Sequence, residues 1–199
     1  MKPADDNPAS VCAFDQLGVV GRMLLTTDGT VTTMLEELAG ERVNAVAMNH
    51  RGAAPRHVLD ALMGDGACGA VLTRSTQLVS ATTGTVLVYA RAVLAPGALP
   101  AVDRDLYATS EPIGRLLRRH RVETFRELRT GRPLFDGEIP DPLDECASAA
   151  PEHEEPRHVT GAVRTYRIHA GGRPAIFVGE VFTAACLGLG HAPEDALTR

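Results

Sequence analysis

Several charged residues of this chain fall on strand faces that otherwise carry large apolar side chains. In the segment 175–183 the two-residue alternation of a strand puts Ile176, Val178, Glu180 and Phe182 on one face. Three bulky apolar neighbours mark that face as the core side, so Glu180 is expected to point inward. A buried carboxylate needs a partner or a ligand. Upstream, Leu72, Arg74, Thr76 and Leu78 share a face, and so do Leu87, Tyr89, Arg91 and Val93. Arginine is always charged, and its planar fork matches a carboxylate. Two readings follow from these residues. One is structural: Glu180 pairs with Arg74 or Arg91, or strand-end charges reach back to water. The other is functional: an apolar pocket floored by a sheet, with a cationic end and an acidic end. Such a pocket suits a small cyclic carboxylate that also carries a hydroxyl.

Other motifs point nowhere. Gly64-Asp65-Gly66-Ala67-Cys68-Gly69 matches G-x-G-x-x-G, but it follows a helical-looking segment and precedes a strand, the reverse of a dinucleotide site. His153, Glu154, Glu155 and His158 can bind metal, yet they lie in an acidic, Pro-rich stretch that reads as a solvated loop, where the rigid support of a metal site is lacking. Cys68 has no basic group near it in sequence to activate it. Cys12, Cys68, Cys146 and Cys186 are scattered and form no C-x-x-C pair, so they read as free thiols packed as small apolar residues. Neither a G-x-S-x-G elbow nor a P-loop is present.

The elements that must hold the charged residues are legible in outline. The 199 residues suit one domain. With 44% hydrophobic residues, 4% aromatics and no Trp, the core must be aliphatic. The net charge of -5 argues against nucleic acid as a partner. Neither a membrane-spanning run nor the apolar core of a signal peptide is visible, so the expectation is a cytoplasmic protein without a membrane partner. Residues 1–10 read as a tail. Apolar spacing predicts helices over 14–25 and 31–38, with Asp28 or Thr30 as a cap and Gly40 as a stop. Strands are expected over 42–48, 71–80, 85–94, 122–128, 163–169 and 175–183, and short helices over 99–109 and 113–120. Residues 132–158 read as a long loop or lid, and 186–199 as a C-terminal tail to a domain spanning 11–185. No internal repeat is visible. The sum is an α+β fold, a single antiparallel sheet of about six strands covered by helices on one side.

The order and spacing of several segments resemble the chorismate pyruvate-lyase family, and in particular its actinobacterial branch that forms 4-hydroxybenzoate. They are Leu24-Leu25-Thr26-Thr27-Asp28-Gly29-Thr30-Val31-Thr32, Arg74 early in a strand, Glu111-Pro112-Ile113-Gly114-Arg115 and Val122-Glu123-Thr124-Phe125. Arg164-Thr165-Tyr166-Arg167-Ile168, Gly171-Gly172-Arg173-Pro174 and Gly179-Glu180-Val181-Phe182 complete the set. The resemblance implies a chorismate lyase-like fold with the ligand enclosed under helix-turn-helix flaps, and no metal or organic cofactor. It implies that Arg74 binds the ring carboxylate with help from the backbone N–H groups of Val31 and Ile113, and that Glu180 meets the hydroxyl at the far end of the ring. The 132–158 segment departs from the family in length and acidity. Arg91 is expected from strand alternation, not from the resemblance, to face the enolpyruvyl carboxylate. On this reading no buried arginine depends on Glu180, so Glu180→Gln should fold normally. The rival readings are a relative acting on another small cyclic substrate, and a ligand-binding sensor without turnover. The oligomeric state is left open.

Overall fold

The computed structural model describes residues 17–52, 54–63, 71–135, 141–143 and 159–188. The elements run α1 (Val19–Thr26), α2 (Val31–Ala39), β1 (Val43–Gly52), α3 (Arg56–Met63), β2 (Val71–Ser80) and β3 (Val86–Leu94). They continue with α4 (Pro100–Ala108), α5 (Ile113–Arg119), β4 (Thr124–Phe135), β5 (Val159–Ala170), β6 (Arg173–Thr183) and α6 (Ala184–Leu187). The six strands form one antiparallel sheet in the order β1-β2-β3-β6-β5-β4.

The register fixes which side chains share a face. One row across the sheet holds Arg74, Ala92, Val178 and Tyr166, and the next holds Thr76, Ala90, Glu180 and Arg164. These belong to the inner face. At one end of it, α4 and α5 bring Val102, Leu106, Leu116 and Leu117 onto Leu72, Leu94, Ile168 and Ile176. At the other end, α1 and α2 bring Leu24, Leu25, Val31 and Leu35 onto Val43, Leu78, Val88 and Phe182. Burying these apolar side chains is the main stabilising contribution. The two apolar clusters leave a polar gap between them, and that gap is the site described below.

Helices on one side only was the expectation, and the outer face corrects it. Amphipathic α3 packs Val58, Leu59 and Leu62 there against Val71, Val93 and Phe177. Strands β2, β3 and β6 are therefore buried on both faces near one end, where simple alternation loses its meaning. Residues 141–143 also lie on this face. A Cβ on Gly179 would sit 2.2 Å from the carbonyl oxygen of Pro142, so only glycine lets that segment rest against β6. The expected loop at 132–158 starts later than its Pro content suggested, because β4 continues to Phe135 through Pro133. Pro133 sits on an edge strand, where a missing N–H is tolerated. The last hairpin is tighter than expected: Gly171 and Gly172, both at positive φ, make the turn, and Pro174 belongs to β6. Cys186 is buried among the α1 and α2 side chains, so the chain stays in the core beyond residue 185. The N-terminal tail, Phe14, the Gly64–Gly69 segment, Cys12, Cys68, Cys146 and the 153–158 histidines lie outside the described residues, as does the C-terminal tail past residue 188.

Candidate active site

Arg74 and Glu180 line one pocket on the inner face, beneath Thr30, Val31, Ile113 and Gly114. They stand on β2 and β6, two strands apart in the sheet order, which is a separation of about 10 Å across the sheet.

Arg74 is fully buried. Its Nη1 donates to the Leu106 carbonyl at 2.7 Å, and its Nη2 donates to the carbonyls of Thr109 at 3.2 Å and Glu111 at 2.7 Å. These oxygens end α4 and form the turn into α5, where helix carbonyls lack intrahelical donors. Its Nε–H is buried and has no hydrogen-bond partner among the described residues. Among the described residues no carboxylate contacts the guanidinium; the Glu111 side chain pairs instead with Arg119 at 2.5 Å. Burial pushes the Arg74 pKa below the usual arginine value, and the Glu111 charge offsets part of that. An isolated buried cation is costly unless something anionic meets it.

Glu180 is 6% exposed, and its partner is neither Arg74 nor Arg91 but Arg164. The Arg164 Nε donates to Oε2 at 2.8 Å, and the Tyr166 hydroxyl donates to Oε1 at 3.1 Å. Each carboxylate oxygen keeps a further lone pair for a ligand hydroxyl. Burial opposes the Arg164 charge, but Glu180 and Tyr166 outweigh it and hold its pKa above the usual value. Burial, then the Glu180 charge, push the Tyr166 phenol well up, so it remains a proton-bearing donor. Arg164 also stacks near the Tyr166 and Phe182 rings, 5.0 and 5.5 Å from their centres. Arg164 was not singled out from the sequence, although its signal was of the same kind as Glu180's: alternation along β5 places it with Ala162, Tyr166 and Ile168.

Two short flaps close the pocket, and they are built alike. Arg164 Nη1 donates to the carbonyls of Leu24 and Thr27 at 2.7 and 2.8 Å. Those residues stand seven and four positions before Val31, the first residue of α2. Leu106 and Thr109, held by Arg74, stand at the same offsets before Ile113, the first residue of α5. In both turns the threonine hydroxyl accepts from the backbone N–H two residues on, at Gly29 and Glu111. Neither helix start carries a side-chain cap. The N–H groups of the first helical residues, Val31 and Ile113 among them, have no intrahelical acceptor and favour negative charge nearby. Arg115 of α5 joins Glu36 of α2 at 2.5 Å, and Arg118 Nη2 donates to Thr30 Oγ1 at 3.3 Å. A Cβ on Gly114 would stand 2.9 Å from Thr30 Cγ2, so the flaps touch where glycine leaves room. The enclosed space is about 60 Å³, room for about two waters. A ring-sized ligand requires the flaps to part.

Arg91 is not part of this pocket. It pairs across the strands with Ser75 and Gly179, which puts it on the outer face, where it forms an ion pair with Asp141. Alternation within β3 could not say which of its two faces met the other charges; only the register between strands decides. That outer face carries a groove of about 810 Å³ lined by Arg91, Asp141, Tyr89 and Gln77, larger than the inner pocket but without Arg74 or Glu180. Among the described residues no three His, Cys, Asp or Glu side chains cluster as metal ligands. No helix among them is long and apolar enough to cross a membrane.

A family model described as Chorismate pyruvate-lyase Rv2949c-like matches residues 25–187. A chorismate pyruvate-lyase of Mycobacterium leprae (strain TN) is 30% identical over 165 residues, covering 81% of this chain and 72% of its own length. One from Mycobacterium tuberculosis (strain ATCC 25618 / H37Rv) is 27% identical over 164 residues, covering 81% and 78%. Among solved structures, the PhnF C-terminal domain aligns with a TM-score of 0.47 at 18% identity, over 76% of this chain and 87% of that one.

Proposed function

The chain belongs to the Rv2949c-like chorismate pyruvate-lyase family, and on that premise we propose that it eliminates pyruvate from chorismate to leave 4-hydroxybenzoate. Chorismate carries a ring carboxylate, a hydroxyl across the ring from it and, on the carbon beside the hydroxyl, an enolpyruvyl ether. The ether C–O bond breaks and its electron pair goes to the enolpyruvyl oxygen. The hydroxyl-bearing carbon loses its hydrogen as a proton, and the C–H pair completes the aromatic ring. That proton ends on the methyl carbon of pyruvate. The elimination is redox-neutral and is driven by aromaticity, so we read it as cofactor-independent. The protein has to orient the ring, exclude water and balance developing negative charge.

The observation that carries this reading is Arg74: a fully buried cation beside a pocket, with an Nε–H that has no partner and no carboxylate in contact among the described residues. A ring carboxylate placed there meets the guanidinium and, from the flaps, the N–H groups of Val31 and Ile113. The ring then lies over Ala90, Ala92 and Val178. Its hydroxyl reaches Glu180, which accepts that hydrogen bond and is positioned to take the proton from the same carbon.

Incubating purified protein with chorismate and following both products tests this. Pyruvate and 4-hydroxybenzoate should appear in equal amounts. Binding of 4-hydroxybenzoate without release of pyruvate would make the protein a sensor of the same ligand. Neither binding nor turnover would discard the substrate assignment.

A further inference from the structure

We infer that Arg126 receives the enolpyruvyl carboxylate, the second negative charge of the substrate; this inference rests on the chorismate reading above. Three observations carry it. The first is charge balance. The charged side chains lining the inner pocket are Arg74, Arg126 and Glu180. Arg164 neutralises Glu180 from behind, which leaves two cations. Chorismate brings two carboxylates and the product 4-hydroxybenzoate only one, so one cation has work with the substrate that it does not have with the aromatic product.

The second is position. Arg126 stands on β4 opposite Ile168, on the inner face, at the side of the pocket that also holds Tyr166 and Glu180. Its charge is felt by the Tyr166 phenol, lowering a pKa that burial raises. The phenol is hydrogen-bonded to Glu180. The enolpyruvyl ether is attached beside the ring hydroxyl, so its carboxylate projects at that same end, away from Arg74.

The third is hydrogen-bonding capacity. Arg126 Nη1 donates to the Asp28 carbonyl in the first flap at 2.9 Å. Its Nη2 lies 3.6 Å from where a Cβ on Gly114 would be, against the second flap. Among the described residues Nη2 has no hydrogen-bond acceptor, and no carboxylate pairs with the guanidinium. One arm is thus braced and the other remains able to bind a carboxylate oxygen, between the two flaps that must close over the substrate. Arg91, the residue that strand alternation suggested for this role, is on the wrong face of the sheet.

The test compares chorismate with its ester at the enolpyruvyl carboxylate, in wild type and in Arg126→Gln, with 4-hydroxybenzoate affinity measured alongside. The wild type should prefer chorismate to the ester by roughly ten- to a hundredfold in kcat/KM, the range set by a hydrogen bond to a charged group. Arg126→Gln should lose most of that preference and bind 4-hydroxybenzoate as the wild type does. Arg126→Lys should regain part of the preference. If the variant lowers turnover of acid and ester alike, Arg126 only braces the flap and the inference is wrong. An unchanged preference, or an equal loss of product affinity, overturns it as well. A wild type that turns over neither compound would instead overturn the chorismate reading on which the inference stands.

Discussion

Arg74 and Arg164 are two buried arginines that perform one structural task, Arg74 at one end of the pocket and Arg164 behind Glu180 at the other. Each rises from an inner-face strand and grips the carbonyls at the end of the helix that precedes a flap. They differ in what balances the charge. Arg164 has Glu180 at 2.8 Å, and its charge is complete within the fold. Arg74 meets carbonyl dipoles and, among the described residues, no carboxylate; each guanidinium keeps one buried nitrogen without a hydrogen-bond partner there, Nε of Arg74 and Nη2 of Arg164, so the difference lies in the counter-charge. Holding a flap therefore does not require leaving a cation without a carboxylate, since the Arg164 end does the same with one. On the proposed function, the charge at the Arg74 end is the one left for a ligand.

The strongest way to break this contrast is to make the two ends alike. Glu180→Gln leaves Arg164 buried without its counter-charge and should cost about 3 kcal/mol or more, a drop in Tm of roughly 10 °C for a chain of this size. Turnover should fall as well. Adding Arg164→Met should restore part of the stability, because it removes the stranded charge. Thermal unfolding of the single and double variants checks both statements. This reverses the expectation from sequence that Glu180→Gln would fold normally, an expectation that held only while no buried arginine was known to depend on Glu180.

At the other end, Arg74→Lys keeps the charge but loses the fork. Affinity for 4-hydroxybenzoate should fall roughly tenfold or more, as measured by calorimetric titration. Glu180→Gln should give the larger stability loss and Arg74→Lys the more selective binding loss, and an Arg74→Lys variant that loses stability but not affinity would return Arg74 to a structural role.

A third variant acts on the flaps without touching either arginine. Gly114→Ala places a methyl 2.9 Å from Thr30 Cγ2, so the flaps must part slightly. We expect kcat/KM for chorismate to drop roughly three- to tenfold, because small misplacements weaken orientation, with Tm nearly unchanged. A normal rate would show that flap contact at this point is dispensable.

The smallest effect belongs to the outer face and shows that its charges serve the fold. Arg167, His169 and Arg129 surround Glu127 and hold its pKa at about 2 despite some burial. A carboxyl whose folded pKa is depressed stabilises the fold above its ordinary value and loses that contribution as pH falls toward the folded value. Stability should therefore decline between about pH 4.5 and pH 2, and Glu127→Gln should flatten part of that slope in acid titrations followed by circular dichroism. Chorismate turnover near neutral pH should not change.

How far these features are legible in the sequence differs from residue to residue. Glu180 was legible because Ile176, Val178 and Phe182 are bulky enough to identify its face. Arg164 obeys the same rule on β5, where Ala162, Tyr166 and Ile168 mark its face. The pairing of the two was hidden, since alternation assigns a side chain to a face and says nothing about which strand lies alongside. Arg91 failed for that reason: both faces of β3 carry apolar residues, and the register with Ser75 and Gly179 alone puts it outside. Arg126 was obscured because β4 is an edge strand with Phe125 and Leu128 exposed, so its apolar residues do not mark a core face. The likeness of the two flaps leaves a short trace in the sequence, Leu24, Thr27 and Val31 against Leu106, Thr109 and Ile113 at the same offsets, which is too brief to stand out as an internal repeat.

Whether Arg74 takes up a ring carboxylate can be measured on the unaltered protein. Binding of 4-hydroxybenzoate and of 4-hydroxybenzamide should be compared by calorimetric titration. The two share ring and hydroxyl and differ in charge at the Arg74 end. The benzoate should bind at least tenfold more tightly, the difference expected when a hydrogen bond to a charged group becomes a neutral one. Equal affinity for acid and amide would contradict it.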